Sequence, residues 1–150
     1  MKALVLDASV AAKWYLPSST ESLVEQAREL LTSHSRYRVR LAVPDLFWAE
    51  LGNILWKARR QGRLDENSVN KAVADARRMG LATTMTESLL DDAMSIAMAA
   101  QRSVYDSLYV ALAMHLNTEL ITADERLVNV VGAYFPVRWL GRYDLSVGGL

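Results

Sequence analysis

Along this chain, short uninterrupted apolar runs alternate with longer stretches whose apolar positions recur every three or four residues. The first run, Ala3-Leu4-Val5-Leu6, predicts a strand buried on both faces, as in a parallel sheet. Asp7 ends it, and Ser9 is placed to cap a helix reaching about residue 16, where Pro17 stops it. A second helix is expected over 20–33, a basic connector over 36–40 and a second strand over 41–43. Pro44 and Asp45 open a long helix that ends near Gly62, a C-terminal cap. Further helices are predicted over 65–79, over 86–101 with Thr86 as cap, and over 103–116. Strands are expected over 81–85, 119–122 and 136–140, with a short helix beginning near Asp124. Short strands alternating with helices predict a three-layer α/β/α sandwich around a mainly parallel sheet of about five strands.

Composition narrows the class without naming a function. A length of 150 residues suits one domain, 1–150, with 144–150 expected as a mobile tail around Gly148 and Gly149. Hydrophobic residues make up 51%, which favours a globular fold over disorder. There is no cysteine, so thiolate zinc sites, cysteine nucleophiles and disulfide scaffolds are excluded. That absence fits a reducing cytoplasm. The apolar run before Asp7 is too short for a signal peptide, and none elsewhere is long enough to span a bilayer, so no membrane association is expected. Seventeen basic residues balance seventeen acidic ones, so a polyanion partner must be held by local patches.

Chemistry enters through four acids. Ligands of open parallel sheets bind beyond the carboxyl ends of the strands. Asp7 follows the first predicted strand and Asp124 follows the fourth, two residues after Thr122. Asp106 lies in the first turn of its helix. Glu50 falls at roughly 80° from the centre of the stripe Phe47, Leu51, Ile54 and Ala58, at the border of core and solvent. Each acid also has a plainer use. Ser103 to Asp106 is a good capping box, Asp124 can cap a helix, and Glu50 can be an ordinary border residue. A strand-end Asp7 flanked by apolar residues must find donors or a cation. Placed together, four carboxylates repel one another unless protonated or bound to cations. Hard oxygen ligands without cysteine or histidine select magnesium or manganese. Asp7 and Asp106 are the expected principal ligands, with Glu50 and Asp124 binding directly or through water. Ser9, Asn53 and Thr122 are expected to support them by hydrogen bonds.

These residues resemble the motifs of PIN domains, in family order and across essentially the whole chain. Val5-Leu6-Asp7-Ala8-Ser9-Val10 resembles the opening motif and Trp48-Ala49-Glu50-Leu51-Gly52-Asn53 the second. Tyr105-Asp106-Ser107-Leu108-Tyr109-Val110-Ala111-Leu112-Ala113 resembles the third, and Leu120-Ile121-Thr122-Ala123-Asp124-Glu125-Arg126-Leu127 the fourth. Small single-domain members are often VapC-type toxins of toxin–antitoxin pairs. The resemblance implies a metal-dependent endoribonuclease that cleaves RNA, forms a homodimer and is inhibited by a cognate antitoxin.

Other features are weighed beside this reading. Arg36, Arg38 and Arg40 would share one side of an extended segment, and Lys57, Arg59, Arg60 and Arg63 cluster at a helix end. Both groups are candidates for RNA phosphates and both read equally as solvated surface. Trp48 and Trp56 lie away from Glu50. Packing under a neighbouring helix suits Trp48, and a partner contact suits Trp56. His34 and His115 are the only histidines, which gives imidazole acid–base catalysis little support. A non-catalytic RNA-binding or assembly module of the same fold is the alternative. A receiver-type phosphoacceptor lacks its paired acids and late lysine here, since the last lysine is Lys71. The acids alone do not separate an RNA nuclease from a DNA nuclease.

Overall fold

The computed structural model describes residues 1–144, so most of the expected tail lies outside the described residues. Five strands form one sheet in the order β3-β2-β1-β4-β5: β1 (Lys2–Leu6), β2 (Val39–Pro44), β3 (Ala82–Thr84), β4 (Leu120–Thr122) and β5 (Val137–Trp139). Every pairing is parallel. The expected mainly parallel sheet is therefore parallel throughout among the described residues. Between the strands run α1 (Ala8–Ala11), α2 (Val24–Ser35), α3 (Leu46–Arg60), α4 (Glu66–Arg77), α5 (Thr86–Ala100), α6 (Val104–His115) and α7 (Glu125–Val131). Strand order turns back at β1, and β4 lies on its other side. Right-handed crossovers then set α1–α4 on one face and α5–α7 on the other.

The apolar runs account for the centre. Leu4, Val5, Leu6, Leu41, Val43, Leu120 and Ile121 are buried, as befits strands covered on both sides. On α6, residues 107–113 are all buried, and this helix packs on β1, β2 and β4 as its all-round apolarity predicts. The α3 stripe runs through Phe47, Leu51, Leu55 and Ala58, while Ile54 is only partly buried. Gly62 takes φ +73 just past α3, the expected left-handed stop.

Several elements differ from expectation for identifiable reasons. The helix expected to reach residue 16 is one turn of α-helix followed by a 3-10 turn over Ala12–Trp14, and Asp7 rather than Ser9 caps it. There, Lys13 Nζ donates to Ser22 O at 2.8 Å and Trp14 Nε1 to Ala27 O at 2.7 Å, so two long side chains hold the chain as it turns away. The second helix starts at Val24, not residue 20, because Leu23 adopts a left-handed φ of 56° after a 3-10 turn at Ser18–Thr20. The basic segment is not extended. Arg36 closes α2, Tyr37 has φ 57°, and Arg40 already belongs to β2. Pro44 ends β2 instead of opening a helix. Asp45 does not cap its own helix through its side chain. Its Oδ1 accepts the Thr86 amide at 3.0 Å, so the α5 N-terminus is capped from β2's end and not by the Thr86 side chain.

Candidate functional site

The switch of strand order beside β1 places the carboxyl ends of β1 and β4 together. Asp7 N donates to Ile121 O at 3.1 Å, which fixes Asp7 against the end of β4. Its carboxylate accepts the Ser9 amide at 3.1 Å and the Thr122 hydroxyl at 2.7 Å. Thr122 Oγ1 also accepts the Asp124 amide at 3.0 Å, and Ser9 Oγ accepts the Ala123 amide at 3.3 Å. Ser9 and Thr122 thus tie the two strand ends together beside Asp7. Asn53 is exposed on α3 and shows no hydrogen bond to the acids among the described residues.

The remaining acids arrive from three helices. Asp106 sits in the first turn of α6, where the Ser103 hydroxyl accepts its amide at 3.1 Å. Asp124 caps α7, accepting the Leu127 amide at 3.2 Å, so the plain capping role is real. Glu50, partly buried on α3, accepts the Tyr109 hydroxyl at 2.6 Å. Arg102 Nη2 lies 3.2 Å from Asp106 Oδ2 and 3.7 Å from Asp124 Oδ2.

The electrostatics record the crowding. Burial pushes the Asp7 carboxyl up to about 6, against the Thr122 and Ser9 hydrogen bonds, and the charges of Glu50 and Asp106 raise it further. Burial likewise holds the Tyr109 hydroxyl protonated, helped by the Asp7 charge and by its bond to Glu50. Glu50 and Asp106 are therefore close enough to Asp7 for their charges to oppose its ionisation, and Asp124 joins Asp106 through Arg102. As arranged, no three acidic or histidine side chains among the described residues stand together closely enough to hold an ion in common. Glu50 is engaged by Tyr109, and Asp106 and Asp124 by Arg102. The donor set nevertheless suits a hard cation. It is all carboxylate oxygen, it is short of compensating charge at Asp7, and a guanidinium already occupies part of it.

Two neighbours were not singled out from the sequence, though both carried a signal. Tyr109 lies three residues after Asp106, and a tyrosine in so apolar a helix needs a partner for its hydroxyl. Arg102 stands four residues before Asp106, the spacing of a helical ion pair. The histidines stay outside. His34 Nδ1 accepts the Leu41 amide at 3.2 Å and its Nε2 meets Met79 O at 2.7 Å, while His115 is exposed at the end of α6.

An all-parallel sheet with carboxylates gathered at its switch point defines a class of α/β proteins with an acidic strand-end site. Within that class the sequence model of the PIN domain matches residues 4–133, and the chain belongs to the PIN domain family. Its relatives include Ribonuclease VapC3 of Pyrobaculum aerophilum, 33% identical over 130 residues, covering 83% of this chain and 91% of that protein. Ribonuclease VapC9 of Mycobacterium tuberculosis is 32% identical over 134 residues, covering 89% of this chain and 95% of that one. Among solved structures, PAE2754 from Pyrobaculum aerophilum superposes with a TM-score of 0.67 at 20% identity, over 93% of this chain and 85% of that one. VapBC2 from Rickettsia felis, bound to a DNA fragment from its promoter, gives 0.58 at 13% identity, over 95% and 99%. At these identities the structural matches speak for the fold.

Proposed function

We propose that this chain is a metal-dependent endoribonuclease, the toxin of a toxin–antitoxin pair, acting in the cytoplasm through Asp7, Glu50, Asp106 and Asp124. The convergence of the acids around a carboxyl raised to about 6 carries the reading. The ribonuclease names of relatives that span most of the chain support it.

Magnesium or manganese bound there would supply positive charge at the phosphate and favour deprotonation of water. The protein's own part is to place and tune the ligands. Asp7 is fixed by Thr122 and by the β4 backbone, and Glu50 is oriented by the Tyr109 hydroxyl. Asp106 and Asp124 sit in first-turn and cap positions whose backbone amides are already bonded. Tyr109, held protonated, acts as a donor and not as a base.

An antitoxin and a homodimer complete the proposal. A groove of about 590 Å³ between α3 and α4 is lined by Trp48, Leu51, Gly52, Val73, Ala76 and Arg77, an apolar surface suited to a partner's helix. Trp56, half exposed beneath Arg60, extends that side of α3.

The test is cleavage of labelled structured RNA with magnesium or manganese, then with EDTA, beside Asp106→Asn. Cutting that needs the metal and falls at least about a hundredfold in the variant is expected, as for loss of a group acting in the transition state. Equal cutting by the variant would dismiss the site. No cutting of a broad RNA panel, with no metal-induced rise in melting temperature, would favour the non-catalytic module.

A further inference from the structure

Arg102 occupies a fixed position. It lies between Gln101, which ends α5 in a left-handed conformation (φ 56°), and Ser103, which caps α6. Those two helices pack closely, so the backbone that carries Arg102 has little freedom. From there its Nη2 reaches both Asp106 and Asp124, two acids brought in by different elements. Its Nε is buried and has no hydrogen-bond partner among the described residues. A guanidinium that bridges two carboxylates while leaving a buried donor unmet is not in its best hydrogen-bonding seat. An ordinary surface ion pair would leave that nitrogen to solvent.

We propose that Arg102 is a built-in competitor for the cation: it neutralises Asp106 and Asp124 in the metal-free protein and must release them before they can serve a metal. The inference rests on the metal reading of the site proposed above. One positive group within about 4 Å of two ligand carboxylates lowers their attraction for a divalent ion and fills the space between them. Arg102 is a positioning residue in this account. It sets how tightly the metal binds and when the acids come together.

The experiment is calorimetric titration of Mn2+, and separately Mg2+, into the metal-free protein and into Arg102→Gln, Arg102→Met and Arg102→Lys. Arg102→Met keeps the aliphatic stem and guards against loss of packing in the glutamine variant. Near-UV circular dichroism confirms that each is folded. The neutral variants are expected to bind metal roughly tenfold more tightly than the parent. Arg102→Lys, which keeps the charge, is expected to stay near the parent. In the parent, Mg2+ is also expected to shift the Arg102 Nε–H resonance as the guanidinium leaves its carboxylates. Folded neutral variants with parent-like or weaker affinity would overturn the role of Arg102 and leave the nuclease reading standing. If neither parent nor variants bind either ion, the metal reading itself falls and takes this inference with it.

Discussion

At Asp7 a single carboxyl joins the chemistry of the site to the stability of the fold. Its folded-state value of about 6 lies above the ordinary 3.8, so the folded protein holds this proton more tightly than the unfolded chain. Its contribution to stability is complete below about 4 and is lost as pH rises through about 6. Without metal, the ionised group then costs on the order of 3 kcal/mol. Asp7→Asn should raise the melting temperature of the EDTA-treated protein at pH 7.5. The gain should vanish below pH 4, where the parent carboxyl is already neutral. Thermal melts of the two proteins across that range decide it, and an equal gain at both ends would sink the explanation. A strand-end carboxylate among apolar neighbours was legible from the sequence. The residue that holds it was legible only as a position, because the bond from Thr122 joins residues 115 apart in the chain.

At the scale of elements, the segment over 12–23 was the least readable. Its turn signals are ordinary, and what shapes it is distant. Glu21 pairs with Lys13 at 3.3 Å and with Arg63 at 2.8 Å, and Arg63 also donates to Thr20 at 2.6 Å. Lys13 is nearly buried, and its other partner is the Ser22 carbonyl. Removing one member of such a pair strands the other charge. Glu21→Ala should therefore lower stability by about 3 kcal/mol, read as a shift of the urea midpoint with an unchanged slope. A shift under about 1 kcal/mol would mean that residues 12–23 are held by the Trp14, Lys13–Ser22 and Arg63–Thr20 bonds without the Glu21 pairs. Likewise Asp45, read with Pro44 as opening its own helix, turns its side chain to the α5 N-terminus. That partner depends on β2 and β3 ending side by side, where Asp45 N meets Thr84 O at 2.8 Å. Asp45→Ala should cost about 1 kcal/mol, the usual worth of an N-terminal cap.

Across the whole molecule, charge is balanced in total but not in place. The acids gather beyond the carboxyl ends of the strands. Arg40 enters β2 at its other end, in the register that sets Lys2 beside Val39. The arginines at 36, 38 and 40 are thus about a strand's length from the site, and the left-handed Tyr37 breaks the single face that an extended segment would have given them. Neutralising all three with glutamine should change RNA cleavage by less than about twofold at physiological salt, where charges more than a Debye length away are largely screened. A tenfold loss would place the RNA path along that end of the sheet. The alternation of apolar runs and helical stripes made the fold and the central helix readable. The spacing could suggest Arg102 for Asp106 but not for Asp124, because that pair joins elements distant in the chain.

The burial of residues 107–113 has a consequence for how such a site can be turned off. Backbone amides along this stretch of α6 should exchange with deuterium only when the whole domain opens, since no local fraying exposes them. Asp106 sits in the first turn of that helix, next to the buried stretch, and Tyr109 lies within it. Moving the helix backbone to disable the site would mean unfolding the protein, so reversible control falls to the side chains that face the acids or to something that covers them from outside.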